Sequence, residues 1–320
     1  MCSEEDAISA AGQQQLPNLE RVAPSTPRTA FIFLTRALTP RTRKLARRLR
    51  SQVNDRASFF VCGYDEQNSV HNDAEFNAHI YNRRDFDRRF SDCHCHYQAS
   101  GTAWQPIPGR IDLVRIAFSM DHPEYDQVWV CEDDVRFTGD MGDLIAALES
   151  EDTDLLTPYL RIPAKNWNHL KTLQRNETVI VSHDSPRAFM PFCRHSRVMA
   201  LKMLQEYRAG LTGHFEYGWP HVAHQHKLKL QDLNEAWTKN RGQPLYSACH
   251  NDSMRGRQSF VFRPAKFFAV WPRQTLFHPV KPASVVLKTR TKPFCMSLFW
   301  RVSEQVPRPV KKIVKQLVGL

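Results

Sequence analysis

Short apolar runs alternate with amphipathic stretches along the first half of the chain. Ala30 to Leu34 is a continuous apolar run suited to a buried strand. Thr39-Pro40 then predicts a helix start, with Thr39 as cap and Pro40 in the first turn. Leu45 and Leu49 sit four apart on the inward side of that helix. Ser58 to Cys62 predicts a second strand, closed by Gly63-Tyr64-Asp65. Strand, helix, strand at this spacing opens a parallel α/β sheet. Residues 66–105 carry no clear period and read as an insertion or several short elements.

Pattern returns at Gly109. Ile111, Val114, Arg115 and Phe118 predict a helix with one apolar face. Tyr125 to Cys131 is a near-continuous apolar strand of the kind covered on both faces. Met141 to Leu148 predicts a helix, Asp154 to Pro158 a short strand, and Ser196 to Tyr207 an amphipathic helix. Pro220 is expected to open a further helix, and Lys229 to Leu233 reads as a strand. Phe267 to Val270 and Thr275 to Val280 are apolar pieces near the end of the domain. The division predicted is a mobile leader over 1–27, one α/β domain over 28–285 and a basic tail over 286–320. In the tail, Val310 to Val318 sets apolar residues opposite lysines. That helix suits either an anionic membrane surface or docking on its own domain.

Composition narrows the classes. With 42% hydrophobic and 24% charged residues, the 320-residue chain reads as globular, not disordered. No run approaches the ~18 apolar residues of a membrane span, and the acidic start (Glu4, Glu5, Asp6) does not fit a secretory signal. A cytoplasmic setting, with peripheral membrane contact through the tail as an option, is the expectation. The net charge of +11 favours anionic partners in general. The basic helix face (Arg41, Arg43, Lys44, Arg47, Arg48, Arg50) lacks the interleaved aromatics of a nucleic-acid platform, so no nucleic acid is expected. The eight cysteines form no paired Cys-x-x-Cys units. Cys93-His94-Cys95-His96 is expected to be a loop or strand edge, because alternate residues of a strand point to opposite faces.

The chemistry-bearing segment is Glu132-Asp133-Asp134, placed where the apolar strand ends. In open α/β sheets ligands bind outside the carboxyl ends of the strands, where the connection order reverses. Three adjacent acids there repel unless a cation or donors compensate them. Oxygen ligands favour magnesium or manganese, which also bind substrate phosphates. The alternative is a helix-capping acidic turn without a ligand.

The segment resembles the aspartate-motif region of GT-A-fold glycosyltransferases, the nucleotide-diphospho-sugar transferases, and its Glu-Asp-Asp form is similar to that of the N-acetylglucosaminyltransferase I type. The resemblance spans roughly Arg28 to Lys281. It implies a Rossmann-type mixed sheet flanked by helices, forming a single catalytic domain. It also implies transfer of a hexosyl or N-acetylhexosaminyl group from a nucleotide-diphosphate donor to a hydroxyl of a glycan or lipid-linked glycan. By this resemblance Asp134 is the direct metal ligand, and Glu132 and Asp133 contact the nucleotide or bind through water. His278 is then a second ligand to manganese or magnesium, or else a histidine satisfied at a strand end. Lys281 meets a phosphate or lies in solvent. Glu216 is the acceptor base, with His214 as a second choice, or it complements a helix N-terminus. Tyr217 and Trp219 offer faces for sugar stacking.

Rival classes leave weaker traces. There is no P-loop, no Gly-x-Gly-x-x-Gly after a strand and no Gly-x-Ser-x-Gly elbow. A metal-dependent phosphoesterase remains as the alternative, with His183-Asp184 its only short ligand pair. A glycosyltransferase-like scaffold without activity is the other.

Overall fold

The computed structural model describes residues 28–63, 75–81, 86, 88–93, 97–100, 103–106, 111–163, 165, 167, 169–180, 184–247, 259–261, 273–282, 284 and 286. The predicted leader, the tail helix, His94 to His96, His183 and the apolar piece Phe267 to Val270 lie outside them.

Thr29–Thr35 (β1) and Ser58–Gly63 (β2) pair in parallel around the helix Pro40–Val53 (α1). The Thr39 side chain accepts the Thr42 N–H, and Pro40 stands in the first turn where its missing N–H costs nothing. Ala46, Leu49 and Val53 are buried, with Leu45 half-buried beside them. The basic face is largely used within the chain. Arg43 and Arg47 pair with Glu75, Arg50 reaches the Glu75 carbonyl, and Arg41 donates to Val280 O at 3.2 Å.

Asn77–Ile80 (β3) extends the sheet in parallel beyond β2. This strand lies in the stretch without a clear period, because it is short and polar and takes its form from the β2 edge. Tyr97–Ser100 (β4) and Ala103–Pro106 (β5) make a separate hairpin. Asp112–Asp121 (α2) then leads to Gln127–Glu132 (β6), which pairs in parallel on the other side of β1. The connection order therefore reverses between β1 and β6.

After β6 come Arg136–Phe137 (β7), Met141–Ala147 (α3), Leu155–Thr157 (β8), Gln174–Arg175 (β9) and Thr178–Val179 (β10). Phe192–Ser196 (β11), Arg197–Arg208 (α4), Leu211–Thr212 (β12), Phe215–Gln225 (α5), Leu230–Asp232 (β13), Leu233–Arg241 (α6) and Leu276–Phe277 (β14) complete the order. The main sheet runs β13-β8-β11-β6-β1-β2-β3 and is mixed, since β11 is antiparallel to both neighbours. With six helices among the described residues, it forms the Rossmann-like α/β domain that the sequence predicts.

Both faces of the sheet are covered, which explains the unbroken apolar runs of β1 and β6. Ile32 and Val130 face a core shared with α2, α4 and α5; Phe31, Phe33 and Trp129 face another shared with α1, α3 and α6. Each large side chain removed from water contributes roughly 1.5–3 kcal/mol before entropy is counted.

Pro220 corrects an expectation. It lies inside α5, which begins at Phe215, instead of opening a helix. Without an N–H it cannot bond the Glu216 carbonyl four residues back. That carbonyl instead accepts the Ala188 N–H at 2.8 Å. The interruption is satisfied by a second chain segment, so the helix continues through it. Tyr217 and Trp219 are also corrected: both are 0% exposed, so neither offers a face to a sugar. Trp219 Nε1 donates to Asp112 Oδ2 at 2.8 Å, and the Tyr207 hydroxyl donates to the same oxygen at 2.5 Å.

Candidate metal and nucleotide site

The acidic triplet turns at the carboxyl ends of β1 and β6. Glu132 N–H donates to Pro191 O at 2.9 Å and Asp133 N–H to Leu34 O at 3.0 Å. Val135 N–H closes the turn on Glu132 O at 3.0 Å, and Arg136 clamps it through the carbonyls of Asp133 and Val135. Successive side chains of this turn point in different directions. Asp133 goes to β1, where Thr35 Oγ1 donates to its Oδ2 at 2.7 Å. Glu132 and Asp134 instead come within reach of each other.

β14 pairs with β7 and brings the late segment to the same place. Val280 N–H donates to Asp134 O at 2.8 Å. His278 Nε2 then lies 3.4 Å from Asp134 Oδ1, and Lys281 Nζ lies 2.6 Å from Asp134 Oδ2. His278 Nδ1 donates to Val261 O at 2.8 Å, since a carbonyl can only accept. In the neutral ring this tautomer leaves the Nε2 lone pair facing Asp134. Ligand atoms of Glu132, Asp134 and His278 all fall within 4.8 Å of one another.

The electrostatics of the group are uneven. Burial raises the Glu132 carboxyl to about 7, and Asp134 adds to the effect against the opposing charges of His278 and Arg115. Its side chain retains 29% of its surface. Burial also raises Asp133, against the hydrogen bond from Thr35. Burial would raise Asp134 as well, but His278 and Lys281 outweigh it and hold that carboxyl well below the usual range. For His278, burial opposes the charge, yet Asp134 and Glu132 carry the ring above its ordinary value.

The residues fit a hard divalent cation. Asp134 is 6% exposed, and its Oδ1 has no hydrogen-bond partner. A buried carboxylate oxygen ordinarily has one. Lys281 takes the other oxygen, so Oδ1 is the atom left to face Glu132 and His278. Two carboxylate oxygens and one imidazole nitrogen are a donor set suited to manganese or magnesium.

Glu216 stands at the start of α5. Its Oε1 accepts the Met190 N–H at 3.2 Å, and its Oε2 lies 3.9 Å from His214 Nδ1. Burial pushes its carboxyl up to about 7; Glu132 raises it further, while the Met190 N–H, Arg187 and His278 oppose the rise. The predicted base therefore lies within the field of the cluster, joined to it through Met190. Arg115, fully buried on α2, donates to Met190 O at 2.7 Å and lies 3.9 Å from Glu132 Oε1.

Thr35 and Arg115 were not predicted as site residues. Arg115 left a trace in the sequence, since it shares the apolar stripe with Ile111, Val114 and Phe118, where a cation is out of place without a buried partner. Thr35 left none. Asp184, half of the alternative ligand pair, is exposed, and Cys93 is half-buried beside Asp92. No helix among the described residues is long and apolar enough to cross a membrane.

No family model matches the chain, and no curated protein matches it in sequence. Solved structures similar to it include a protein of Bacillus anthracis described as a glucose-1-phosphate thymidylyltransferase, crystallised with sucrose. The identity is 12% over 68% of this chain and 96% of that one, with a TM-score of 0.35. A197 from STIV is similar at 10% identity over 64% of this chain and 81% of that one, with a TM-score of 0.29.

Proposed function

We propose that this chain is a metal-dependent glycosyltransferase of the GT-A type, which transfers a sugar from a nucleotide-diphosphate donor to an acceptor hydroxyl. The observation that carries the reading is the meeting of Glu132, Asp134 and His278 at the β1/β6 switch point, with the buried Asp134 Oδ1 approached by His278 Nε2 at 3.4 Å. These three residues would hold manganese or magnesium. The bound cation supplies charge stabilisation to the diphosphate leaving group.

The remaining roles belong to the chain. Lys281, held on Asp134, adds a positive charge at the cleft for the same phosphates. Asp133, fixed by Thr35, faces β1 on the side where a nucleoside in such a crevice lies. Glu216 takes the proton of the acceptor hydroxyl as it attacks the anomeric carbon, and a carboxyl raised to about 7 is suited to that transfer. One displacement assisted by Glu216 inverts the anomeric centre. A phosphoesterase with two cations would need a second ligand group, and only one group of three such side chains occurs among the described residues.

Thermal stabilisation by a panel of nucleoside diphosphates, with and without manganese, tests the reading. The expected result is a shift with one nucleotide that needs the metal and vanishes in Asp134→Ala. A well-folded protein that no nucleotide stabilises, with or without metal, would overturn it.

A further inference from the structure

Two guanidinium groups converge on the ring of Tyr159. Arg161 and Arg187 face each other in an antiparallel bridge, Arg187 N–H donating to Arg161 O at 2.7 Å and Arg161 N–H to Arg187 O at 3.0 Å. Their guanidinium carbons lie 4.4 and 5.2 Å from the centre of the Tyr159 ring, and that of Arg187 lies 4.7 Å from the ring of Trp167. Arg187 is only 7% exposed, whereas Arg161 and one side of Trp167 reach solvent.

A cation so buried is ordinarily paired with a carboxylate. Among the described residues, no carboxylate lies within ion-pair reach of either guanidinium. Asp232, whose carboxylate accepts the Leu160 N–H beside Arg161, is used elsewhere: it caps α6 through Asn234 and Glu235. The aromatic faces offset part of the desolvation and hold the two forks in fixed orientations. Glu216 acts on Arg187 only from beyond ion-pair reach, so the two guanidiniums form a preorganised site with room for an anion.

Its position gives the anion a role. Arg187 is followed by Ala188, whose N–H is bound to Glu216 O, and by Met190, whose N–H is bound to Glu216 Oε1. One short stretch of chain therefore sets both the arginine and the carboxylate. The donor diphosphate, by contrast, belongs at Asp134 and Lys281.

We propose that Arg161 and Arg187 bind an acidic group, a carboxylate or a phosphate monoester, carried by the acceptor saccharide. The proposal rests on the reading of Glu216 as the residue that faces the acceptor. Planar guanidinium forks match both anions through paired hydrogen bonds. The half-exposed Trp167 ring, packed against Arg187, supplies the flat face for a sugar that the buried Tyr217 and Trp219 do not.

The test uses the full chain in chelator, with glucose, glucuronate and glucose 6-phosphate as probes at millimolar concentration and thermal stabilisation as the readout. Both acids, or one of them, should stabilise the wild type and Asp134→Ala alike, while glucose does not. Whichever acid acts more strongly separates carboxylate from phosphate. Arg187→Gln and Arg161→Gln should each weaken that binding about tenfold or more. Arg161 is exposed and carries the test if Arg187→Gln fails to fold. Failure of both acids to stabilise the wild type overturns the proposal, as does glucose acting equally well. Undiminished binding in Arg161→Gln and in any folded Arg187→Gln overturns it too, as does loss of binding in Asp134→Ala, which would assign the acids to the donor site. If the acids bind as expected but no nucleoside diphosphate does, the anion site stands and the transferase reading falls.

Discussion

His278 donates from Nδ1 to the carbonyl of Val261 at 2.8 Å, which turns its Nε2 toward Asp134. One hydrogen bond to the backbone thus decides which nitrogen is available as a ligand. His278→Ala removes that nitrogen without touching the acidic turn. Manganese affinity, read by isothermal titration, should fall about 100-fold or more while the fold persists. Unchanged affinity would exclude His278 from the site.

The pH dependence follows from the raised groups. Glu132 and Glu216 move from 4.5 to about 7 on folding, and His278 also rises above its ordinary value. Each favours its protonated form in the folded protein. Their contribution is therefore present at low pH and is lost as pH rises, through 4.5 to about 7 for the glutamates and above 6.5 for the histidine. In chelator the melting temperature should fall between about pH 5 and about pH 8.

A cation reverses this trend because it binds the deprotonated ligands. The gain in melting temperature on adding manganese should be larger near pH 8 than near pH 6, by about tenfold in apparent affinity per pH unit below 7 for each competing proton. A gain independent of pH would separate metal binding from Glu132 and His278.

Glu216→Gln keeps an oxygen for the Met190 N–H and removes the proton acceptor. Turnover should fall by about 100-fold or more, with metal-dependent nucleotide binding intact. Near-wild-type turnover would leave Glu216 with only its positioning of Met190.

Asp112 Oδ2 holds the buried Tyr207 hydroxyl and Trp219 N–H together. Asp112→Ala strands both donors and should cost about 2–4 kcal/mol in urea unfolding. Trp219→Phe loses one donor and should cost less. An equal or larger loss in Trp219→Phe would show that packing, not this hydrogen bond, dominates.

Much of the architecture was legible because its causes are local. The Thr39 cap, the apolar runs of β1 and β6 and the stripes of α2 and α4 each depend on residues within a few positions of one another. The acidic turn was legible for the same reason, as a charge cluster set directly on a buried strand. β3 was not, because its conformation comes from the edge of β2 and not from its own residues. Pro220 misled because the partner that satisfies the freed Glu216 carbonyl, Ala188, belongs to another segment.

The sequence by itself determined α1 to α4, the strands β1, β2, β6, β8 and β13 and the carboxylates at the end of β6, since side-chain period and capping act over one or two turns; α6 and β11 carried no such signal. Only the tertiary structure decided which residues share a site. It brought His278 and Lys281 to Asp134 through the β7–β14 pairing, and it sent Asp133 away to Thr35. It buried Tyr217 and Trp219 and left Arg161, Arg187 and Trp167 around Tyr159. The reason is geometric: period says which side of an element a residue takes, whereas strand order and register say what that side meets.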